Sequence, residues 1–232
     1  NPLSGNSTLQ DNGSRKGIYA DLAYAKWTAI HSADVTGSLT FGKMENPFAF
    51  THNVFDPDYN PEGMAAQVAW KLNDQHTLRG IAAGFMLDEL SSSTQDPFLI
   101  GAQILWEAKW DKHWQTSLGF GGMLINSEQS LTNGAVPNIN RGNTRTGDAG
   151  VLAENFNPLV ADASITYTLD SFPLYKGAFP IKGFGEYLNN VAIDSNNEAY
   201  LAGITFGKAA RKGTWELTYQ YRNLDANSWY EE

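Results

Sequence analysis

The segment Asp56–Gly63 (DPDYNPEG) has the residue types of a calcium-binding loop, because carboxylate and amide oxygens occupy its first, third and fifth positions. Its sixth position is Pro61, where such loops need a glycine for their sharp turn. The twelfth position is Gln67, which cannot supply the bidentate carboxylate. The segment is therefore better interpreted as a loop stiffened by proline, and we predict no metal ion and no cofactor.

The remaining ionisable residues do not form a recognisable catalytic set. Glu107, Glu186 and Glu216 could pair as glycosidase carboxylates. Single carboxylates on the polar face of a strand are, however, more typical of a pore lining. None of the four histidines has a second histidine at helical spacing, and the chain has no HExxH, GxSxG or phosphate-loop motif. It also has no cysteine, which excludes thiol chemistry and thiolate metal sites. We predict that the protein is not an enzyme.

Charge and composition exclude other classes of function. The net charge of −9, from 16 Lys plus Arg against 25 Asp plus Glu, disfavours nucleic acid as a partner because a phosphate-binding surface needs excess cations. No stretch approaches the ~18 apolar residues of a membrane helix, so the protein can cross a membrane only as strands. The aromatic content of 12% and the 22 glycines suit a membrane barrel, which uses aromatic residues at its two interfaces.

Apolar and polar residues alternate along Phe98–Trp110, over a longer stretch than the ~5–6 residues of an ordinary strand. The same period of two recurs in nine other segments, namely 17–30, 36–44, 63–72, 76–88, 114–125, 161–170, 181–193, 199–209 and 214–222. This pattern predicts about ten strands.

The predicted connections alternate in length. Short polar turns lie at 31–35, 73–75, 111–113 and 210–213, and longer loops at 46–62, 90–97 and 126–158. Short turns at one end and long loops at the other are typical of outer-membrane barrels. We expect 126–157 to be a long external loop and 46–62 to fold inward as a constriction loop. The candidate constriction residues are Phe48, Phe50, Phe55, Asp56, Asp58 and Tyr59.

The two faces of the strands indicate an antiparallel up-and-down transmembrane β-barrel, with residues 1–232 in a single domain. Its apolar face would meet lipid and its polar face would meet water, since a Lys or Arg at the lipid midplane costs ~2–4 kcal/mol. A soluble β-sandwich that binds carbohydrate is the alternative fold, because its strands alternate as well. The candidate pore-lining residues are Lys71, Glu107, Lys109, Asp162, Glu186, Glu216 and Arg222.

Two segments in each half of the chain resemble a family of Gram-negative porins. They are FGKMENPF (41–48), VFDPDYNPEG (54–63), FGEYLNN (184–190) and GKAARKGTWELTYQYR (207–222). The resemblance implies a channel in the bacterial outer membrane, surrounded by lipid, for passive diffusion of small hydrophilic solutes. A plugged barrel, or one that sheathes a partner protein, is the alternative function. The solute, the ion selectivity and the oligomeric state, including a homo-oligomer, are left open.

The resemblance also bears on whether this chain closes a barrel by itself. Members of that family are longer, and the C-terminal residues Trp229–Glu232 do not form a strand ending in an aromatic residue. We therefore expect the barrel to be incomplete in this chain. The strands at 17–30 and 214–224 would then be edges that pair with further sequence and not with each other.

Overall fold

The computed structural model describes residues 20–50, 54–55, 59–90, 94–131, 142–148 and 150–230. Within them, ten strands form one antiparallel sheet in which each strand pairs with its neighbours in chain order. The strands of this sheet are β1 (Ala23–His31), β2 (Val35–Lys43), β3 (Glu62–Lys71), β4 (His76–Met86), β5 (Phe98–Lys109), β6 (Trp114–Asn126), β9 (Pro158–Leu169), β10 (Phe179–Asn190), β11 (Glu198–Gly207) and β12 (Glu216–Leu224). Two-residue strands β7 (Arg145–Thr146) and β8 (Val151–Leu152) form a separate hairpin. The all-β, up-and-down prediction is confirmed.

The ten long strands contain 9 to 13 residues each, which suits a tilted strand that crosses a bilayer in ~9–11 residues. Turns at 32–34, 72–75, 110–113, 170–178 and 208–215 define what we call the short-turn end of the sheet. The connections 44–61, 87–97, 127–157 and 191–197 define the long-connection end. No helix among the described residues is long and apolar enough to cross a membrane.

Polar side chains at the start of the short turns hold the hairpins. The side-chain oxygen of Asn73 accepts two backbone N–H groups at 2.9 Å each. That of Asp111 accepts the N–H groups of His113 and Trp114 at 2.7 and 2.8 Å. These bonds satisfy backbone donors that the strand ladder leaves open. They also hold the pKa of Asp111 below its usual value.

Cross-strand pairing defines two faces of the sheet, because directly paired residues point to the same side. We call one side the inner face, and we call a line of directly paired residues, one from each strand, a row. One row of the inner face consists of Arg79, Leu105, Gly119, Asp162, Glu186, Leu201 and Arg222. The other side is the outer face. The seven residues that we expected to point outward all lie on it, namely Val68, Ile100, Ile104, Trp106, Leu118, Ile165 and Leu217. All are exposed except Trp106, which is half-buried because it stacks on His76.

A hydrophobic cluster covers the inner face at the long-connection end. Strand residues such as Phe85 and Leu99 pack there with Leu131, Leu152 and Phe156 from the connection between β6 and β9. Each of these five side chains is at most 2% exposed. The described parts of the predicted external loop 126–157 therefore pack back onto the sheet, and residues 132–141 and 149 of that loop lie outside the described residues.

Strands β1 and β12 are the two edges of the sheet, and no ladder joins them within the described residues. This agrees with the expectation that they do not pair with each other. Which strands pair with these edges stays a prediction.

Candidate functional site

Charged side chains in the ten long strands are concentrated on the inner face. The inner-face set consists of Lys26, Lys71, Arg79, Glu107, Lys109, Asp162, Lys182, Glu186, Glu216 and Arg222. On the outer face of these strands, only Lys43, Glu62 and Glu198 are charged. All three lie at the long-connection end; at the end of a membrane-spanning strand, a long charged side chain can reach water. All seven candidate pore-lining residues thus share the inner face.

The outer face is a broad apolar surface. Ile104, Leu118 and Leu217 are 59%, 52% and 61% exposed, and many neighbouring large side chains are similarly open. Water-facing surfaces rarely hold apolar patches beyond a few hundred Å². Near the short-turn end this face carries Trp70, Trp106 and Trp114, and tryptophan is a residue type that favours membrane–water interfaces. The outer face is therefore apolar over most of its extent and open to its surroundings.

The inner face contains a cavity of about 650 Å³ towards the short-turn end, which we call the polar trough. Its lining comes from β3, β4, β5, β6, β9 and β10, together with the turn 73–75 and Ala49 from the connection after β2. Because six neighbouring strands contribute, the sheet curves around the trough. Four candidate pore-lining residues line the trough, namely Lys71, Glu107, Lys109 and Asp162. The other three, Glu186, Glu216 and Arg222, lie elsewhere on the inner face.

Two ion pairs neutralise part of the charge in the trough. Arg79 Nε lies 3.0 Å from Glu107 Oε2, and Lys71 Nζ lies 2.7 Å from Asp74 Oδ1. The hydrogen bond from Lys71 holds the pKa of Asp74 below its usual value. The carboxylate of Asp162 lies directly over Gly119, where a Cβ would collide with it. Glycine at this position therefore makes room for an inward-pointing acid.

Two further cations of the trough carry no such pair. Lys109 and Lys182 are exposed, and no described carboxylate lies within ion-pair distance of either ammonium group. We did not predict Lys182 or Arg79 as pore-lining residues, because alternation is weaker in β4 and β10 than in β5. The same period of two, applied strictly to 76–86 and 181–190, would have placed both on the inner face.

The chain after β2 turns inward along the inner face, and we call residues 46–50 the inward segment. The backbone N–H of Ala49 donates to Gln103 Oε1 at 2.8 Å, and Gln67 Nε2 donates to the carbonyl of Pro47 at 3.3 Å. Gln67 and Gln103 are inner-face residues of β3 and β5. Gln103 is only 1% exposed. Two strand side chains thus hold the backbone of this segment against the wall.

Two glycines provide the space for the rings of the inward segment. A Cβ at Gly101 would lie 2.8 Å from Phe48 Cζ, and one at Gly121 would lie 2.7 Å from Phe50 Cζ. Both glycines belong to the inner face, on β5 and β6. A larger residue at position 101 would displace the Phe48 ring, whereas at position 121 it would meet the backbone carbonyl of Ala102 at 2.6 Å as well as the Phe50 ring.

The four aromatic candidates for a constriction come together in space. Phe48 stacks on Phe50 and Phe55 at centroid distances of 5.4 and 6.1 Å, and Phe55 stacks on Tyr59 at 5.2 Å. Trp229, near the C-terminal end, meets the edge of Phe55 at 5.5 Å. The other two candidates, Asp56 and Asp58, lie outside the described residues.

Buried asparagines tie the long connections to one another. Asn190, which is fully buried, donates to the carbonyls of Asn155 and Asn227 at 2.8 and 2.9 Å. Asn227 accepts the N–H of Thr144 at 2.8 Å and donates to its hydroxyl at 3.0 Å. These bonds join β10, the connection between β6 and β9, and the segment after β12. Within the described residues, no group of three or more His, Asp or Glu side chains is arranged to hold a metal ion.

Comparison with known proteins finds a matching family. Residues 1–122, more than half of the chain, match the family model described as "Putative porin". No curated protein and no solved structure matches the chain.

Proposed function

This chain belongs to the porin family that its residues 1–122 match, and we propose that it forms a water-filled channel for passive diffusion of small hydrophilic solutes across the bacterial outer membrane. Membership of a porin family supports a transport channel without catalytic activity. The observation that carries the proposal is the separation of charge, with ten charged residues on the inner face of the strands and three at the rim of the outer face. Outer-membrane lipid is the partner that suits the outer face.

The polar trough would be the solute path at the short-turn end. Its hydroxyl, amide and charged groups, among them Thr77, Gln115 and Ser164, can replace part of the water around a solute as it passes. At the long-connection end, the inward segment and the hydrophobic cluster occupy the inner face. A solute would therefore pass beside the Phe48 ring, and the inward segment would set the narrowest width.

Single-channel recording tests this proposal. The full-length protein that contains this chain is purified in detergent, shown to be folded by its altered mobility on unheated gels, and added to a planar lipid bilayer in KCl. We expect discrete, ohmic conductance steps, and no steps after the same sample has been denatured by heat. A folded sample that inserts into vesicles and never conducts would contradict a diffusion channel.

A plugged or structural barrel is the second candidate, and one observation favours it. Phe48, Phe55 and Trp229 are each at most 7% exposed and pack with strand residues into the hydrophobic cluster on the inner face. If that cluster blocks the path, the folded protein would resist detergent and insert into lipid without conducting. The same recording therefore separates the two functions.

A soluble β-sandwich is disfavoured by the architecture. A sandwich buries apolar side chains between two packed sheets, whereas the described strands form one large sheet and a two-residue hairpin. The large apolar side chains of the outer face have no second sheet against them among the described residues and remain exposed.

A further inference from the structure

One row of the polar trough has cations at both ends and neutral hydrogen-bonding groups between them. Lys109 pairs with Gln115, Gln115 with Thr166, and Thr166 with Lys182, across β5, β6, β9 and β10. Adjacent strands lie ~4.8 Å apart, so the two lysine backbones are ~14 Å apart. Two long, flexible ammonium side chains can therefore reach a small solute that rests over the middle of the row.

The neighbouring row adds hydroxyl groups. Ser117 and Ser164 are paired across β6 and β9, one step further from the short-turn end, and both line the trough. Together with the Gln115 amide and the Thr166 hydroxyl, they offer donors and acceptors of a kind that sugar-like hydroxyl groups can use.

The balance of charge in this part of the trough favours an anion. Glu107 and Asp74 are already paired with Arg79 and Lys71, whereas Lys109 and Lys182 have no described carboxylate within ion-pair distance. Asp162 offsets some of this excess, but its carboxylate lies two rows deeper, over Gly119. The row is thus locally cationic in a chain whose net charge is −9.

We propose that the row Lys109–Gln115–Thr166–Lys182 is a binding site for small hydroxylated carboxylates and makes the channel prefer anions. Only the preference for anions rests on the proposed channel function. Lysine acts as a point charge, and the one arginine that lines the trough among the described residues is already engaged with Glu107. The row therefore lacks the bidentate donor that is over-represented at phosphate sites, and its hydroxyl and amide groups suit the hydroxyl groups of a hydroxylated carboxylate.

The test uses gluconate as the anionic probe and glucose as its neutral counterpart. The variant K109Q/K182Q removes both cations and keeps polar side chains of similar length. The variant K208Q/K212Q is the matched control, because it removes the same charge from the exposed turn between β11 and β12. Reversal potentials are measured in a KCl gradient, and blockade of the KCl current is measured with each sugar.

We expect the chloride-to-potassium permeability ratio to exceed one and to fall by about two- to fourfold in K109Q/K182Q. This is the size expected for two unit charges ~8 Å from a passing ion in water, after salt screening. Gluconate, but not glucose, should reduce the wild-type current, and K208Q/K212Q should behave as wild type. A conducting channel with the same ratio and the same gluconate response in K109Q/K182Q would overturn the inference and leave the proposed function standing.

Calorimetric titration of the detergent-solubilised protein with gluconate gives a readout that needs no conductance. If wild type does not conduct, the proposed function fails. Gluconate binding that is lost in K109Q/K182Q and kept in K208Q/K212Q would still support the site. Absence of gluconate binding in the wild-type protein would overturn it.

Discussion

Substitution of Gly101 by valine should displace the inward segment from the wall. The Cβ of residue 101 would lie 2.8 Å from both Phe48 Cζ and Met123 Cγ, whereas carbon atoms in contact are ~3.5–4.0 Å apart. Both obstacles are side chains and neither is backbone, so the strand itself can remain in place. The Phe48 ring must then move by about 1 Å or leave its position.

The size of the effect follows from the packing around that ring. Phe48 is 7% exposed and contacts Phe50, Phe55 and Phe85 at centroid distances of 5.4, 6.1 and 5.9 Å. Overpacking of this kind costs ~1–3 kcal/mol, and the better strand preference of valine returns up to ~1 kcal/mol. The hydrogen bond from Ala49 to Gln103 is worth only ~1 kcal/mol, so it cannot hold the segment alone. A net cost of ~1–2 kcal/mol should raise the population of the detached state by about five- to thirtyfold.

The assay is single-channel conductance of wild type, G101V and the control G80V. Gly80 lies on the outer face of β4, and a Cβ added there would have no atom within 4 Å, so valine at this position should face lipid without strain. G101V should conduct more than wild type or show a second, larger level, and G80V should match wild type. Limited proteolysis before and after the substitution gives an independent measure of whether the inward segment has been released.

Equal conductance and equal proteolysis in G101V and wild type would refute the reasoning. That result would mean either that Phe48 does not rest on Gly101 or that the inward segment does not narrow the path. Loss of conductance in G101V with normal insertion would also contradict a constriction that opens on release.

Three further predictions test the fold. Ile104→Arg should lower the free energy of unfolding in lipid vesicles by ~2–4 kcal/mol, whereas Thr166→Arg on the inner face should not. Equal losses would contradict the assignment of the outer face to lipid and of the inner face to water. The pKa of Asp111 is lowered in the folded state, so ionised Asp111 stabilises the folded protein. This stabilisation is fully present above the ordinary pKa of the carboxyl group and is lost as the pH falls through the lowered pKa of the folded state. Asp111→Asn should weaken this dependence of the thermal unfolding temperature on acid pH. An unchanged dependence on pH would contradict a stabilising role for the Asp111 carboxylate in its turn. Asn227→Ala removes two hydrogen bonds to Thr144 and should cost ~1–3 kcal/mol, with faster proteolysis near 142–148; unchanged proteolysis would contradict the asparagine network.

The strands and their two faces could be predicted from the sequence because they depend on a local rule. Successive side chains of a strand point to opposite sides, so the alternation in Phe98–Trp110 was enough to predict β5 (Phe98–Lys109) and the outward direction of Ile104. The short turns were also local, since Asn73 and Asp111 bond to the backbone two and three residues further on. Arg79 and Lys182 obey the same rule and were missed only where the pattern is weaker.

The arrangement of the inner face required the tertiary structure. The aromatic content of 46–62 indicated an inward fold, but nothing within that segment showed that Gly101 and Gly121 on two later strands leave space for its rings. Those contacts depend on strand register and on residues far apart in the chain, which no local period encodes. The same holds for the row from Lys109 to Lys182, which exists only because four strands pair in one particular alignment. Local stereochemistry determined which side each residue faces, and long-range pairing decided which residues on that side meet.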